Sequence, residues 1–200
     1  MADNNWLYDT ILEGELVTLR PLREDDADQL VKAASDGNLW ELWYTSVPGK
    51  ESVGGYIDYA MREKDAGRAL PFVVEHKSSG HIIGSTRYCN ADTKNQRVEI
   101  GYTWYSKSYQ KTSINTTCKY LLLSHAFEKL SAIAVEFRTH WHNHPSRAAI
   151  ARLGAKQDGV LRNHQKDASG HYRDTVVFSI TNQEWPAVKK GLTYKLSRRR

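Results

Sequence analysis

The sequence predicts an α/β domain: a mixed sheet with helices on both faces. Three observations lead there. Segments of two-residue alternation are interleaved with segments of helical periodicity, in the order β-α-α-β-β-β-α-β-α-β-β. Several of the strands are joined by short polar turns, so antiparallel hairpins must sit beside crossover connections. The 200 residues carry no internal repeat or low-complexity linker, which suits one domain (1–200) with a core over about 15–185 and a basic tail over 186–200.

Each element has its own signal. Glu15 to Arg20 reads as a first strand, ended by Pro21. Glu24, Asp25, Asp26 and Asp28 place negative charge at the start of a helix, where the macrodipole favours it. Ala27, Leu30, Val31 and Ala34 form that helix's apolar face. Leu39 to Pro48 is an irregular connection rich in tryptophan, and a second helix runs from about Ser52 to Ala66, stopping at Gly67. Phe72–His76 and His81–Tyr88 form a hairpin around Ser78-Ser79-Gly80, and Asn90 to Gln96 is a second turn.

Arg97 to Trp104 alternates, with Val98, Ile100, Tyr102 and Trp104 on one face and Glu99, Gly101 and Thr103 on the other. A helix follows from about Ser113 to Lys129, striped by Ile114, Cys118, Leu122 and Ala126 and widened by Phe127 and Leu130. Ile133–Thr139 is a strand of buried type. Pro145 sits in the first turn of a short helix and Gly154 just past its end. Val160–His164 and Tyr172–Ile180 make a last hairpin around Ala168-Ser169-Gly170, and Thr181 with Glu184 fits a capping box for a short final helix.

Composition narrows the class. No run approaches the roughly 20 apolar residues of a membrane helix, and MADNNWLYDTILEGE lacks the apolar core of a signal peptide. A cytoplasmic protein without a membrane partner is expected. Cys89 and Cys118 are too few for a disulfide framework. The net charge of +5 is modest and lies partly in Lys195-Leu196-Ser197-Arg198-Arg199-Arg200, which reads as a solvated, frayed terminus rather than a nucleic-acid contact.

The stretch from Val98 to Ser146 carries the chemistry. A strand ends in aromatics and feeds a polar loop at a helix N-terminus, where unpaired N–H groups and the helix dipole can hold a pyrophosphate. A second strand then stops at Asn143-His144-Pro145-Ser146, where another helix begins. Two such strands side by side can line a slot for a long thin cofactor.

The phrases LVTLRPLREDDADQL, RALPFVVEHKSSGHIIGSTRY, VEIGYTWY, EFRTHWHNHPSRAAIARLGAKQDGVLRNH and YRDTVVFSI, spread from about Leu16 to Trp185, resemble the Gcn5-related N-acetyltransferases. Within that family they are most similar to the branch of ribosomal-protein N-terminal alanine and serine acetyltransferases. The resemblance implies a twisted seven-stranded sheet whose fourth and fifth strands, Arg97–Trp104 and Ile133–Thr139, splay apart. It implies acetyl-CoA as donor and a primary amine as acceptor, a protein N-terminus or a small molecule. It also implies that backbone groups of Thr103, Trp104 and Tyr105 pair with the pantetheine arm, as an open strand edge would, and help hold the developing oxyanion.

The family's phosphate loop maps onto Gln110, Lys111, Thr112, Ser113, Ile114, Asn115 and Thr116. Gln110 fits its first position, but Ser113 and Asn115 replace two small residues that would relax φ and admit phosphate closely. Hydroxyl and amide donors and the Lys111 charge are expected to compensate. Glu99 is the candidate base, acting directly or through a water; its alternative role is an ion pair with Arg97 or Arg138. Asn143 and Ser146 match the branch's Asn-x-x-Ser, implying an Asn143 bond to pantetheine and Ser146 as proton donor to the thiolate; both could instead serve as helix cap and first-turn residue. Arg147 could contact a phosphate.

Trp40, Trp43, Tyr44 and His140 are candidates for the acceptor pocket, and Arg173 and Asp174 read as a structural pair. His140, His142 and His144 lack the third or fourth ligand a zinc site recruits, so no metal is expected. Three rivals remain: a non-catalytic acyl-CoA sensor, a ribosome- or RNA-binding module using the arginine tail, and a succinyl-type donor recognised by Lys107 or Arg87. A homodimer is compatible with these features but not encoded by them.

Overall fold

The structure, a computed structural model, describes residues 6–167 and 169–198. Its centre is an eight-stranded sheet in the order β1-β2-β3-β4-β5-β6-β8-β7. The strands are β1 (Leu12–Glu13), β2 (Val17–Pro21), β3 (Leu70–His76), β4 (His81–Asp92), β5 (Arg97–Tyr105), β6 (Ala134–His140), β7 (Lys156–Lys166) and β8 (Tyr172–Thr181). All neighbours are antiparallel except β5 and β6, which run parallel.

Five helices cover the sheet: α1 (Ala27–Ser35), α2 (Val53–Asp65), α3 (Ile114–Glu128), α4 (His144–Leu153) and α5 (Trp185–Ser197). α1 and α2 bury Leu30, Ala34, Ile57 and Ala60 against Val73, Ile82 and Trp104 on one face. α3, α4 and α5 bury Cys118, Leu122, Ile150 and Leu192 against Phe72, Val98, Ile100, Val135 and Phe137 on the other. The two cores, dominated by aliphatic side chains taken out of water, hold the sheet as a rigid floor.

The expected seven strands become eight because the N-terminal arm adds β1, with Leu12 opposite Leu19. Trp6 anchors that arm by donating Nε1–H to Leu130 O at 2.8 Å, and Leu7 is buried in the α3 core. Two residues are too few to show periodicity, so tertiary anchoring made this strand. The expected tail over 186–200 is instead largely α5. Trp185 stacks on Phe127 with centroids 5.3 Å apart and donates to Glu128 at 2.8 Å, which pins the helix to α3. Half of the expected capping box forms, with the Glu184 carboxylate accepting from Thr181 N–H at 3.0 Å. Arg199, Arg200 and the turn residue Ala168 lie outside the described residues.

The helix limits follow the local chemistry. Asp26 caps the first turn region by accepting from Arg23 N–H at 2.8 Å and takes both Arg20 amines at 2.7 and 2.9 Å. In α4, Pro145 occupies the first turn, the Asn143 side chain caps it, and Gly154 ends it at φ 106°, a left-handed conformation open to glycine.

The alternation read for β5 is corrected. Val98 and Ile100 face α3, but Trp104 packs with α1 and α2 while Tyr105 packs with α3. The phase changes at Tyr102, whose φ is 51°. Opposite it the β4–β5 register slips between Arg87↔Gly101 and Ser85↔Trp104, a bulge of one extra residue. Sequence alternation cannot reveal a bulge when both faces are apolar.

Candidate active site

The site begins with a strand pair that separates. β5 and β6 pair only at Arg97↔Ala134, Val98↔Val135 and Glu99↔Glu136. Beyond Glu99 they part, at the two strands foreseen to splay, and the bulge at Tyr102 lies one residue past the Gly101 rung with β4. Bulges bend strands and sharpen twist, which carries β5 away from β6. On its other side β5 remains bound to β4: Ser85 pairs with Trp104, and Ser106 N–H donates to Ile83 O at 2.8 Å. Residues flanking Tyr105 therefore spend their amides on β4, and by ladder alternation the Tyr105 amide groups point into the gap. A Cβ on Gly84 would lie 2.3 Å from Trp104 O, so glycine is what lets the strands approach this closely.

The loop after β5 is set by its own side chains. Gln110 Nε2 donates to Tyr105 O at 2.9 Å, which occupies one of the edge acceptors expected for pantetheine. Thr112 Oγ1 donates to Tyr109 O at 2.7 Å and accepts from Ile114 N–H at 3.3 Å, so this hydroxyl shapes the turn. The φ concern at Ser113 and Asn115 is corrected: Ser113 has φ −72° and Asn115 lies within α3, whereas the left-handed residue is Lys111 at φ 59°. Ser113 makes no side-chain cap bond. The remaining first-turn N–H groups of α3, including Asn115 and Thr116, have no intrahelical acceptor, and the helix dipole adds to their pull on an anion. A gap edged by free amides next to such a helix end fits a thioester carrier with a diphosphate.

Glu99 sits at the base of the gap, on the sheet face away from α3, and is 8 % exposed. Asn90 Nδ2 donates to its Oε2 at 2.8 Å, and Arg138 Nε lies 3.5 Å from the same oxygen. Arg97 is not its partner. Arg97 binds Glu136 at 2.6 Å, and Arg138 binds Glu136 at 3.0 Å. Burial raises the Glu99 pKa above the ordinary carboxylate value, against the Asn90 bond and the Arg138 charge, which lower it. These residues line a polar cavity of about 170 Å³. A Cβ at Gly101 would meet Cys89 Sγ at 3.0 Å and Glu99 Oε1 at 3.1 Å, so the absent side chain leaves room beside the carboxylate.

The far wall is the end of β6 and the start of α4. Asn143 Oδ1 accepts from Ser146 N–H at 3.1 Å, a helix cap. The Arg147 guanidinium is turned to Trp141, donating to its carbonyl at 3.1 Å and lying 4.3 Å from its ring centroid, rather than standing free. His140 is buried, and its Nδ1 accepts from His142 N–H at 3.0 Å. Burial, with help from Arg173, lowers its pKa below the ordinary imidazole value. Trp43 reaches across from the α1–α2 connection to within 5.1 Å of the His140 ring and 5.8 Å of the His142 ring, with Tyr44 5.6 Å behind it. Trp40 packs over Gly49 instead. The expected Arg173–Asp174 pair is not formed, since Asp174 binds Arg162 at 2.5 Å and Arg173 Nε is buried without a partner.

Two buried cations stand apart: the sequence does not single out Lys119, and it offers Arg87 only as a contact for a succinyl-type donor. Lys119 donates to Thr103 Oγ1 at 2.6 Å beneath β5, and burial lowers its pKa to about 8. Arg87 is 1 % exposed beneath the tyrosines of α2 and β5. Neither breaks the apolar periodicity around it in a way that marks it as special. A positive charge at a buried strand position, as in STRY, was the signal available.

The comparisons with known proteins agree with this geometry. Residues 17–156 match the model of the acetyltransferase (GNAT) domain. The chain belongs to the GNAT acetyltransferase family. It is 31 % identical over 110 residues to YdaF of Bacillus subtilis, named provisionally as a ribosomal N-acetyltransferase; the match covers 55 % of this chain and 59 % of that protein. A GCN5-related N-acetyltransferase from Brucella melitensis superposes with a TM-score of 0.82 at 27 % identity, over 94 % of this chain and 86 % of that one. RimJ of Mycobacterium smegmatis, solved with CoA-disulfide, gives a TM-score of 0.76 at 25 % identity, over 94 % and 93 % of the two chains. The named relatives support the ribosomal N-acetyltransferase branch that the sequence resembles, within a class of acyl-CoA-dependent N-acetyltransferases. No helix among the described residues is long and apolar enough to cross a membrane.

Proposed function

We propose that the chain moves an acetyl group from acetyl-CoA to a primary amine, on a protein N-terminus or a small molecule, by direct attack in a ternary complex. The observation that carries this reading is the parting of β5 from β6 beyond Glu99↔Glu136, in a chain of this family, beside the open first turn of α3. Acetyl-CoA supplies an acyl group already activated as a thioester.

The residues divide the remaining work. Glu99 removes the ammonium proton, directly or through a water in the cavity; a carboxyl whose pKa is raised by burial is better matched to that task near neutrality. The Tyr105 N–H, aimed into the gap from the Thr103–Tyr105 edge, stabilises negative charge on the acyl oxygen. Ser146, half-buried in the first turn of α4 with its N–H held by Asn143, stands at the gap's far wall to protonate the departing sulfur. Trp43 and His140 form the acceptor mouth. Burial raises the pKa of both thiols, that of Cys118 to about 11, so neither is an activated nucleophile. That supports direct transfer over a covalent relay.

Glu99→Gln is expected to lower kcat by about 100-fold while leaving CoA affinity by calorimetry unchanged. Equal turnover of the two proteins at every pH would remove Glu99 from the mechanism. Binding of acetyl-CoA without turnover on any amine would favour the sensor reading.

A further inference from the structure

Arg87 lies fully inside the protein, and its Nε, Nη1 and Nη2 have no hydrogen-bond partner among the described residues. Its guanidinium carbon stands 3.9 Å from the Tyr102 ring centroid, 4.9 Å from that of Tyr56 and 5.9 Å from that of Tyr59. Ring faces attract a cation, but they accept none of its five N–H bonds in the planar fork. A buried cation without an anion is a costly arrangement.

No nearby group among the described residues supplies that anion. Burial holds the Tyr102 phenol well above its ordinary pKa and does the same for the Cys89 thiol, so both stay neutral. Glu63, whose carboxyl feels the Arg87 charge, is engaged by Arg68 at 2.7 and 2.8 Å. The missing partner must come from outside.

The location says what kind of partner. Arg87 pairs with Gly101, and Cys89 with Glu99, so the guanidinium and the candidate base share a sheet face two rungs apart, roughly 7 Å along the strands. Gly101, which shares a rung with Arg87, carries no side chain there, and a Cβ on it would come within 3.1 Å of Glu99 Oε1. Tyr59 and Tyr102, the outer rings, are each 40 % exposed, so turning either ring opens the guanidinium to solvent. The face is that of α2 and the acceptor mouth, on the β4 side of β5 rather than in the gap beside β6.

We propose that Arg87 is the seat for a carboxylate on the acceptor, a few bonds from the amine that Glu99 deprotonates. The acceptors are then amines with a neighbouring carboxylate: free amino acids, or peptides whose first residue is acidic. A planar guanidinium binds such a group bidentately, and its correct seating would deliver the amine to Glu99. This assignment rests on the acyl-transfer reading.

The test is a panel of amines assayed with acetyl-CoA, each supplied as carboxylate and as carboxamide. The panel holds α-, β- and γ-amino acids, and peptides beginning with Asp or Asn. Wild type should favour the carboxylate in kcat/KM by at least about 10-fold, the discrimination a site built for a polar group attains, and Arg87→Gln should reduce the ratio below about 3-fold. The amino-acid and peptide arms tell which source fits. Arg87→Met, whose apolar chain suits the ring box, serves if the Gln variant does not fold.

Equal kcat/KM for each pair in wild type overturns the proposal, as does a preference that survives in both variants. A preference for succinyl-CoA over acetyl-CoA that is lost with Arg87 also overturns it, by placing the carboxylate on the donor. If calorimetry shows no CoA binding, the acyl-transfer reading falls by itself. Arg87 is then judged by thermal shift: glutamate should raise Tm where glutamine does not, in wild type alone, and equal shifts sink the assignment.

Discussion

Arg20 and Arg87 are both arginines taken largely out of water, and the molecule treats them differently. Arg20 has Asp26 at 2.7 Å and Glu75 at 2.6 Å, with side-chain exposures of 12 % for itself and 4 % for Asp26. Those carboxylates hold its pKa above the ordinary value. It ties β2 to β3 and to the start of α1 through four hydrogen bonds, three of them to carboxylates. Arg87 has three ring faces and no acceptor. Lys119 lies between these extremes, bonded to a neutral hydroxyl and part-way to losing its proton. The difference separates a charge used for architecture from one left available.

That contrast can be broken. Asp26→Ala should cost about 3 kcal/mol or more in denaturant unfolding, because it strips a buried cation of its main anion; a loss below about 0.5 kcal/mol would make Arg20 no more structural than a surface pair. Lys119→Met should stabilise. The ammonium is disfavoured inside, so the penalty builds as pH falls from the unfolded value of 10.5 to the folded value of about 8 and is complete below it. The variant's advantage should be greatest below pH 8 and vanish above 10.5. Its ceiling is on the order of 3 kcal/mol, reduced by the lost Thr103 bond. Thr103 and Thr86 keep each other's hydroxyls at 2.7 Å, so no orphan remains. An advantage that grew with pH would reverse the assignment. Arg87→Met should be the mildest, within about 1 kcal/mol of wild type and on the stable side. A loss above about 2 kcal/mol would mean the tyrosine box is architecture after all.

Much of this was legible beforehand, for identifiable reasons. Elements with strong periodicity or capping chemistry, such as α3, α4 with Asn143, Pro145 and Gly154, and the β3–β4 hairpin, appear where their patterns placed them. The splay was legible only through resemblance, because nothing in Arg97–Tyr105 announces the turn at Tyr102. β1 and much of α5 were missed because their stability comes from contacts with α3 made by Trp6, Leu7 and Trp185. In the site, residue identity gave Glu99, and only the fold gave its company: Asn90 from the end of β4 and Arg138 from β6. The polar loop reads from the sequence as a set of donors at a helix end. Which side chains bond within the turn, Gln110 and Thr112 among them, depends on backbone angles that composition does not specify.

The single inserted residue at Tyr102 has a consequence for how this chain can change. Excising it would let the rest of β5 resume regular pleating, swapping the sides occupied by Trp104 and Tyr105 and inviting the neighbouring strand to zip onward past its third rung. Replacing it leaves the frame intact. Point mutations along this segment are thus retuning events, whereas a one-codon deletion there would seal the crevice and erase the catalyst at a stroke.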